Sequence, residues 1–549
     1  MISLVLAIVL NVAAEGADTT GMRFASEVVN RVIERSEEGD TIFFPKGVYA
    51  LDRHFSIWGK RKLKFLGEEG TVIRMHCNPQ GPEDEASGAF FLGECSDIQI
   101  QKFTITTDNP VGCQGRIANC SPESHEIVFR LDPGYTVTGT EHFFQVDTTD
   151  ESGAPDHMIE CHEPIHEVVE NGRTVWKGMD YKILDQERIR VKLPDWCSLA
   201  AVKPGRRMLV RYFRNGESPV HIRACTNVKI EDVTVERTPS CGAGVAPPSS
   251  NVFFNRFVLA PPKGSDALIA SNADGIHILG CAGRVGLKDC RFWGLGDDAL
   301  NIHTMAGELK EFDAASGRFK LILRGPDRTK EGRLPAGWAG AGNEIEVYDP
   351  KSFLLKGKMK LLSYNESDCT GAFEPSAFRP ALGDMCVNTR DCPAVRIVNC
   401  TVENTRARAF LLQTQNVRIR NCTFRGLPGP ALIFSTDFAV WNEAGPPRDV
   451  EIRDCVFERC GVNVLSPQLG AIVVKANHDK GFGGQSAGIF HDFRLIGNRF
   501  SAIPTVGAYI TSTTGVSLEN NDLRGSKGRG YEFLNCEAVT VDGKSVKSK

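Results

Sequence analysis

Apolar and polar residues alternate along much of this chain in short period-two bursts, and the bursts themselves recur. The recurring block is about nine residues long. It is apolar at its second, fourth and ninth positions, with Asn or Asp and then Cys frequent at the sixth and seventh. It reads DIQIQKFTI (97–105), NVKIEDVTV (227–235), RVGLKDCRF (284–292), AVRIVNCTV (394–402), NVRIRNCTF (416–424), DVEIRDCVF (449–457), DFRLIGNRF (492–500) and GVSLENNDL (515–523), with a last copy at AVTVDGKSV (538–546). Neighbouring copies lie 22 residues apart from Ala394 to Asn416, and 23 apart from Asp492 to Gly515 and from Gly515 to Ala538. Short strands at this interval with no helix between them predict an all-β solenoid, a single-stranded parallel β-helix in which each coil pairs with the next. A leucine-rich repeat would need its Leu and Asn at other offsets, and a β-sandwich would not hold one register for so many turns.

Three stretches depart from the repeat. Ser26 to Glu38 has Val28, Val29, Val32 and Ile33 on one face, Ser26 as a candidate N-cap and Gly39 as a stop, which predicts a short amphipathic helix covering the first coils. It leads into TIFFPKGVY (41–49), strand-like with a Pro-Lys-Gly turn. Between Ile105 and Asn227 come HEIVFRL, HFFQVDT, RIRVKLP and RMLVRYF; between His303 and Ala394 come RFKLILR, NEIEVYD and KMKLLSY, with Ser316-Gly317 and Lys356-Gly357 as turn signals. Both predict small antiparallel β-domains inserted into coil loops. The chain then divides into a signal-like stretch (1–17), the cap helix and first coils (18–105), a first insertion (106–220), coils carrying the densest acidic motifs (221–303), a second insertion (304–391) and C-terminal coils (392–549).

Composition changes this picture little. With 64 basic and 68 acidic residues the net charge is -4, so no overall field favours nucleic acid or an anionic membrane. The opening MISLVLAIVLNVAAEGA resembles a secretory signal with cleavage near Ala14, though it lacks a basic start, and predicts an exported protein, periplasmic or extracellular. No later run approaches the ~18 apolar residues of a membrane-spanning helix. Of the 18 cysteines, Cys290, Cys400, Cys422 and Cys455 share the seventh repeat position, which predicts free thiols stacked inside the solenoid. No zinc-spaced Cys/His cluster is present, and no metal or cofactor is expected.

The candidate chemistry lies in NADGIHILGCAGRVGLKDCRFWGLGDDALNIH (272–303). In the repeat register, DGIHIL from Asp274, DALNIH from Asp298, RAFLLQ from Arg408 and PALIFS from Pro430 fall on successive coils. Asp274, Asp298 and Arg408 then share one column, and His277 and Asn301 a second, with coils ~4.8 Å apart. Crowded carboxylates raise one another's pKa, so one can hold a proton while another stays ionised, the division of labour that glycosidic cleavage needs. Asp297 reaches the same place if the chain bends at Gly294 and Gly296. Clustered carboxylates are also calcium ligands, but Arg408 in their column would repel a cation. Farther on, FSTDFAVWNEAG (434–445) presents Trp441, a stacking face for sugars or a residue packed under its own loop, and Glu443, a hydrogen-bonding partner or acid.

NADGIH followed one coil later by GxGDDxxN is similar to the polygalacturonases of glycoside hydrolase family 28, but the GHG and RIK motifs of that site are absent. The longer set, NADGIHI, CxFxGxGDDALNIH, ARAFLLQT and a Trp with a nearby Glu before RDVEIRDCVF, more closely resembles glycoside hydrolase family 110, the exo-acting α-1,3-galactosidases. That resemblance implies a right-handed, pectate-lyase-like β-helix and metal-independent removal of terminal α-1,3-linked galactose with inversion, from blood-group B or linear α-galactosyl glycans. It carries over Asp274, Asp297 and Asp298 as catalytic carboxylates, without saying which is acid and which base. His277, Asn301, His303, Arg408, Trp441 and Glu443 are the expected substrate contacts. The expected partner is a glycan with terminal α-galactose; pairing of two copies stays open. A pectate lyase or polygalacturonase, and a non-catalytic glycan-binding solenoid, are the alternative readings.

Overall fold

Each repeat block folds as two short strands joined by a bend, and the residues at the bend explain the repeat. A computed structural model of the chain describes residues 7–549 apart from 77–87, 109–110, 140, 163–165, 171–172, 201, 213–216, 325–330, 463–469 and 478–485. In NVRIRNCTF the strands are Gln415–Arg420 and Thr423–Leu427, with Asn416 and Asn421 at φ 58° and 53°; in DVEIRDCVF, Asp449 and Asp454 stand at 51° and 54°. This left-handed backbone disfavours most L-residues by about 1–2 kcal/mol and is tolerated best by Gly, Asn and Asp. The first and sixth repeat positions are therefore mostly Asn, Asp or Gly, because the coil turns there; Lys102 (φ 61°) and Ala538 (φ 52°) show that other residues are accepted at the same bend. Asn421 is exposed, so substitution there tests the backbone alone. Asn421→Val is expected to destabilise by about 1–2 kcal/mol, while Asn421→Gly stays near wild type, read from denaturation midpoints.

A third strand completes each coil. Ile276–Leu279 pairs in parallel with the start of Leu300–Phe312, which pairs with Phe410–Leu412, then Leu432–Asp437, Ile472–Asn477 and Val506–Thr511. Register passes from Ile276 to Leu300 to Phe410 to Leu432, the register read from the sequence. The protein is a right-handed parallel β-helix with large parallel sheets. Its interior is one continuous apolar core running from Val12 to Val539.

Within that core, Cys290, Cys400, Cys422 and Cys455 are buried at the seventh position, and all cysteines among the described residues are free. The Cys422 backbone N–H donates to Cys455 Sγ at 3.4 Å. Farther along the same ladder, Asn498 and Asn521 replace Cys, with Cys455 N–H donating to Asn498 Oδ1 (3.0 Å) and Asn498 N–H to Asn521 Oδ1 (2.9 Å). A small side chain with a lone pair satisfies the backbone donor that the bend leaves inside the core.

Two antiparallel sheets branch from the solenoid. One contains Gly112–Ser121, Glu126–Leu131, Phe143–Thr149, Arg188–Lys192 and Arg207–Tyr212. The other begins within the solenoid strand Leu300–Phe312 itself and returns through Met385–Asn388. No helix among the described residues is long and apolar enough to cross a membrane.

Three local expectations are corrected. The helix is Ser26–Arg35 with Ala25 at its N-cap and no side-chain cap; Ser26 is buried, and its Oγ accepts from Asp52 N–H at 3.3 Å instead. Gly357 is no turn: it lies within the strand Leu355–Asn365, where a Cβ would strike the Phe378 ring at 2.8 Å. The last repeat copy stops half-way, since Gly543 (φ 75°) folds Lys544–Ser545 back onto Thr540–Val541 as a hairpin. In the signal-like stretch, Val9–Asn11 pairs in parallel with Thr41–Phe43 and Val12 is fully buried.

Candidate active site

Parallel pairing in register stacks equivalent residues of successive coils, and one such stack is the column Cys241, Asp274, Asp298, Arg408. Gly242 N–H donates to Asp274 C=O, Gly275 N–H to Asp298 C=O, and Ala299 N–H to Arg408 C=O, fixing the order. The side chains are tied in the same way. Asp298 N–H donates to Asp274 Oδ1 (3.1 Å), and Arg408 donates to Asp298 Oδ1 through its N–H (3.1 Å) and its Nε (2.6 Å). Asp297 stands beside the column. The bend that puts it there needs both glycines: Gly294 has φ 72°, and at Gly296 a Cβ would lie 2.5 Å from the Asn272 carbonyl. Asp297 is the most open of the three acids, 26% exposed against 1% for Asp298, with Arg408 at 3.9 Å and Arg406 at 4.0 Å.

His277 pairs with Asn301 on the neighbouring coil, and Leu279 with His303. A proton chain links them. His277 Nδ1 is 2.7 Å from Asp274 Oδ2, His277 Nε2 is 3.0 Å from His303 Nε2, and His303 Nδ1 is 3.2 Å from the Thr304 carbonyl. Burial would lower the His277 pKa, but Asp274 and the Cys241 thiol hold it well above the usual value. Burial and the His277 charge push His303 down to about 3. The network therefore assigns a charged His277 that donates from both nitrogens and a neutral His303 that accepts at Nε2 and donates at Nδ1.

Glu443 enters from a different coil. Residues Glu443–Ala444 pair antiparallel with Thr304–Met305, which brings Glu443 Oε1 to 3.8 Å from His303 Nε2. Burial pushes its carboxyl up to about 7, against the pull of His277 and Arg408. A carboxyl whose folded pKa exceeds its unfolded 4.5 makes the protein less stable as pH rises from 4.5 through 7, by up to roughly 3 kcal/mol. Glu443→Gln is accordingly expected to raise stability at pH 8 and to change it little at pH 4, measured by thermal melts at the two values.

Trp441, in the loop before Glu443, is 61% exposed and does not pack under its own loop. That loop is anchored by Asp437 Oδ1, which accepts from Ala439 and Val440 N–H, and by Phe438 stacked on Phe353 of the second insertion at 4.8 Å. Trp293 instead packs against Val111, Leu209, Leu268 and Ile269, where the first insertion meets the solenoid.

Several contributors were missed in the sequence. Arg211, buried in the first insertion, donates to the Ser271 and Leu295 carbonyls (2.9 and 3.1 Å) and lies 3.6 Å from Asp147. It thus ties together the segments that carry Asp274 and Asp297. Arg406 spans Asp147 (3.9 Å) and Asp297 (4.0 Å). Lys475 pairs in register with Ser435, and burial with the Arg408 charge lowers it to about 8. The signal for Cys241 is the alignment of CGAG (241–244) with DGIH (274–277), which puts a thiol in the acidic column. Buried polar atoms without a partner among the described residues also gather here: Asp298 Oδ2, Asn301 Oδ1 and Gln413 Oε1. Such atoms mark where a polar ligand can bond.

Comparison with known proteins adds to this geometry. No family model matches the chain. It is 24% identical over 540 residues to Alpha-1,3-galactosidase B of Bacteroides thetaiotaomicron, covering 93% of this chain and 85% of that protein. It is 31% identical over 227 residues to Alpha-1,3-galactosidase A of the same organism, covering 40% and 39%. The chain is a homologue of alpha-1,3-galactosidases. As an enzyme it is a glycoside hydrolase. Among solved structures, the endo-xylogalacturonan hydrolase from Aspergillus tubingensis superposes with a TM-score of 0.47 at 10% identity, covering 98% of this chain and 99% of that one.

One oxygen from each of Asp274, Asp297 and Asp298 lies within 4.8 Å of the others, close enough to share a cation. Arg408 Nε already sits on Asp298 Oδ1, so a hard cation there would meet a guanidinium.

Proposed function

We propose that this protein is an exo-acting glycoside hydrolase that removes terminal α-1,3-linked galactose from glycans. The observation that carries the reading is the column itself: Asp274, Asp298 and Arg408 stacked on consecutive coils with Asp297 beside them, the two column acids buried and Asp297 the most open. Asp274 is tied on both oxygens, Oδ2 to His277 and Oδ1 to the Asp298 N–H. Asp298 is pushed up to about 7 by burial and by its acidic neighbours, against Arg408, which makes it a strong base at neutral pH. Its Oδ2 has no hydrogen-bond partner among the described residues and is the atom we assign to take a proton from the attacking water. Asp297, on the open side, is assigned to protonate the leaving glycosidic oxygen.

Support for galactose comes from the names of the relatives and from the exposed Trp441 beside Glu443, since a galactose ring presents an apolar face to an aromatic platform. Incubation with Galα1-3Gal and detection of free galactose tests the reading; no release from linear or fucosylated α-galactosides would sink it. For the stereochemical course, the family resemblance favours inversion. Water activated directly by Asp298 likewise gives inversion, whereas attack on the sugar by a carboxylate itself would give retention. Anomeric NMR of the first product separates the two, β-galactose reporting inversion and α-galactose retention.

A further inference from the structure

Cys241 is the member of the acidic column that hydrolysis does not use. It sits one rung before Asp274, because Ala243 pairs with Ile276 and Gly242 N–H donates to the Asp274 carbonyl at 3.0 Å. It is half-buried, unlike the cysteines of the interior ladder, so solvent reaches it. One ligand atom each from Cys241, Asp274 and His277 lies within 4.8 Å of the others. We propose that Cys241, Asp274 and His277 form a capture site for a zinc-class divalent cation, and that loading it shuts off the hydrolase.

A sulfur, a nitrogen and an oxygen donor are the set that zinc prefers, and in a tetrahedral site such atoms stand roughly 3.3–3.6 Å apart. Asp274 Oδ2 and His277 Nδ1, 2.7 Å apart, have only to open slightly around an ion that replaces the proton between them. Cys241 completes the set by a side-chain rotation. The surrounding bonds are those of a metal site: the second His277 nitrogen is fixed by His303, which is itself fixed by the Thr304 carbonyl, and the second Asp274 oxygen by Asp298 N–H. Loading releases the thiol proton and the His277 Nδ1 proton and leaves a fourth position for water. The all-oxygen set of Asp274, Asp297 and Asp298 competes poorly, since it has no soft ligand and holds Arg408. Inhibition follows because the ion takes Asp274 out of the acidic column, and this half of the proposal rests on the hydrolase reading.

The test is titration of the metal-free full-length protein with Co(II), then Zn(II). One equivalent of Co(II) is expected to produce a thiolate-to-cobalt charge-transfer band, which one equivalent of Zn(II) bleaches. Cys241→Ser and His277→Ala are each expected to weaken binding at least about 100-fold and to lose the band, while Asp298→Asn keeps it. Melting curves show whether each variant is folded. Zinc is expected to cut wild-type hydrolysis at least tenfold, reversed by a chelator, and to leave Cys241→Ser insensitive. No thiolate band in the wild type, or the same band in Cys241→Ser, overturns the site; a loaded enzyme with undiminished turnover overturns the inhibition. If the metal-free protein cleaves no α-galactoside, the functional reading fails, and the cobalt band still decides the site.

Discussion

Asp298→Asn is expected to lower kcat by about 10²- to 10⁴-fold on Galα1-3Gal and by a similar factor on an activated aryl α-galactoside. The amide is nearly isosteric and can still accept Arg408 Nε at the oxygen now bonded at 2.6 Å, so the column keeps its shape. What it loses is basicity at Oδ2, and a missing base slows attack by water whatever the leaving group. Asp297→Asn should behave differently. Its expected loss is of the same size on Galα1-3Gal, where the departing sugar needs a proton, and far smaller on a nitrophenyl galactoside, whose leaving group departs unaided. Paired kcat measurements on the two substrates therefore assign acid and base. Full activity of Asp298→Asn on the disaccharide would remove it from the chemistry, and a leaving-group-dependent loss in Asp298→Asn rather than Asp297→Asn would exchange the roles.

Arg211→Met is expected to cost about 3 kcal/mol of stability and to reduce turnover at least tenfold, although Arg211 belongs to the inserted sheet and lies outside the proton-transfer groups. Arg211 is 1% exposed, and its guanidinium is shared between two solenoid carbonyls and Asp147, itself 1% exposed. Methionine fills similar volume but leaves Asp147 with Gln145 and the more distant Arg406, at 3.9 Å, as its compensation. Breaking one side of a buried ion pair costs about 3–5 kcal/mol, and the remaining partners put this case at the low end. Turnover falls because Arg211 bonds both Ser271, three residues before Asp274, and Leu295, two before Asp297. A small displacement of either acid is costly in rate. Double substitution of Asp147 and Arg211 by apolar residues should recover part of the stability and little of the turnover. Recovery of both would show that the clamp acts only on stability.

Most of the solenoid, and part of the site, could be read from the chain alone. In a parallel β-helix each coil pairs with the next in register, so a residue's spatial neighbours are its sequence equivalents one coil away. A repeat that fixes the register therefore fixes the column Asp274, Asp298, Arg408 and the pairing of His277 with Asn301. Even the Asn and Asp of the repeat carry structural information, because the left-handed bends at 416, 421, 449 and 454 favour them. The tertiary structure decided what no repeat encodes. Arg211 meets the segments that carry Asp274 and Asp297 across 60 and 84 residues, and Glu443 reaches His303 by an antiparallel pairing that breaks the parallel rule. Asp297 faces the site because two coils approach at Gly296 more closely than any Cβ would allow. These contacts join elements of unrelated pattern, and their partners are chosen by shape and charge in three dimensions rather than by period.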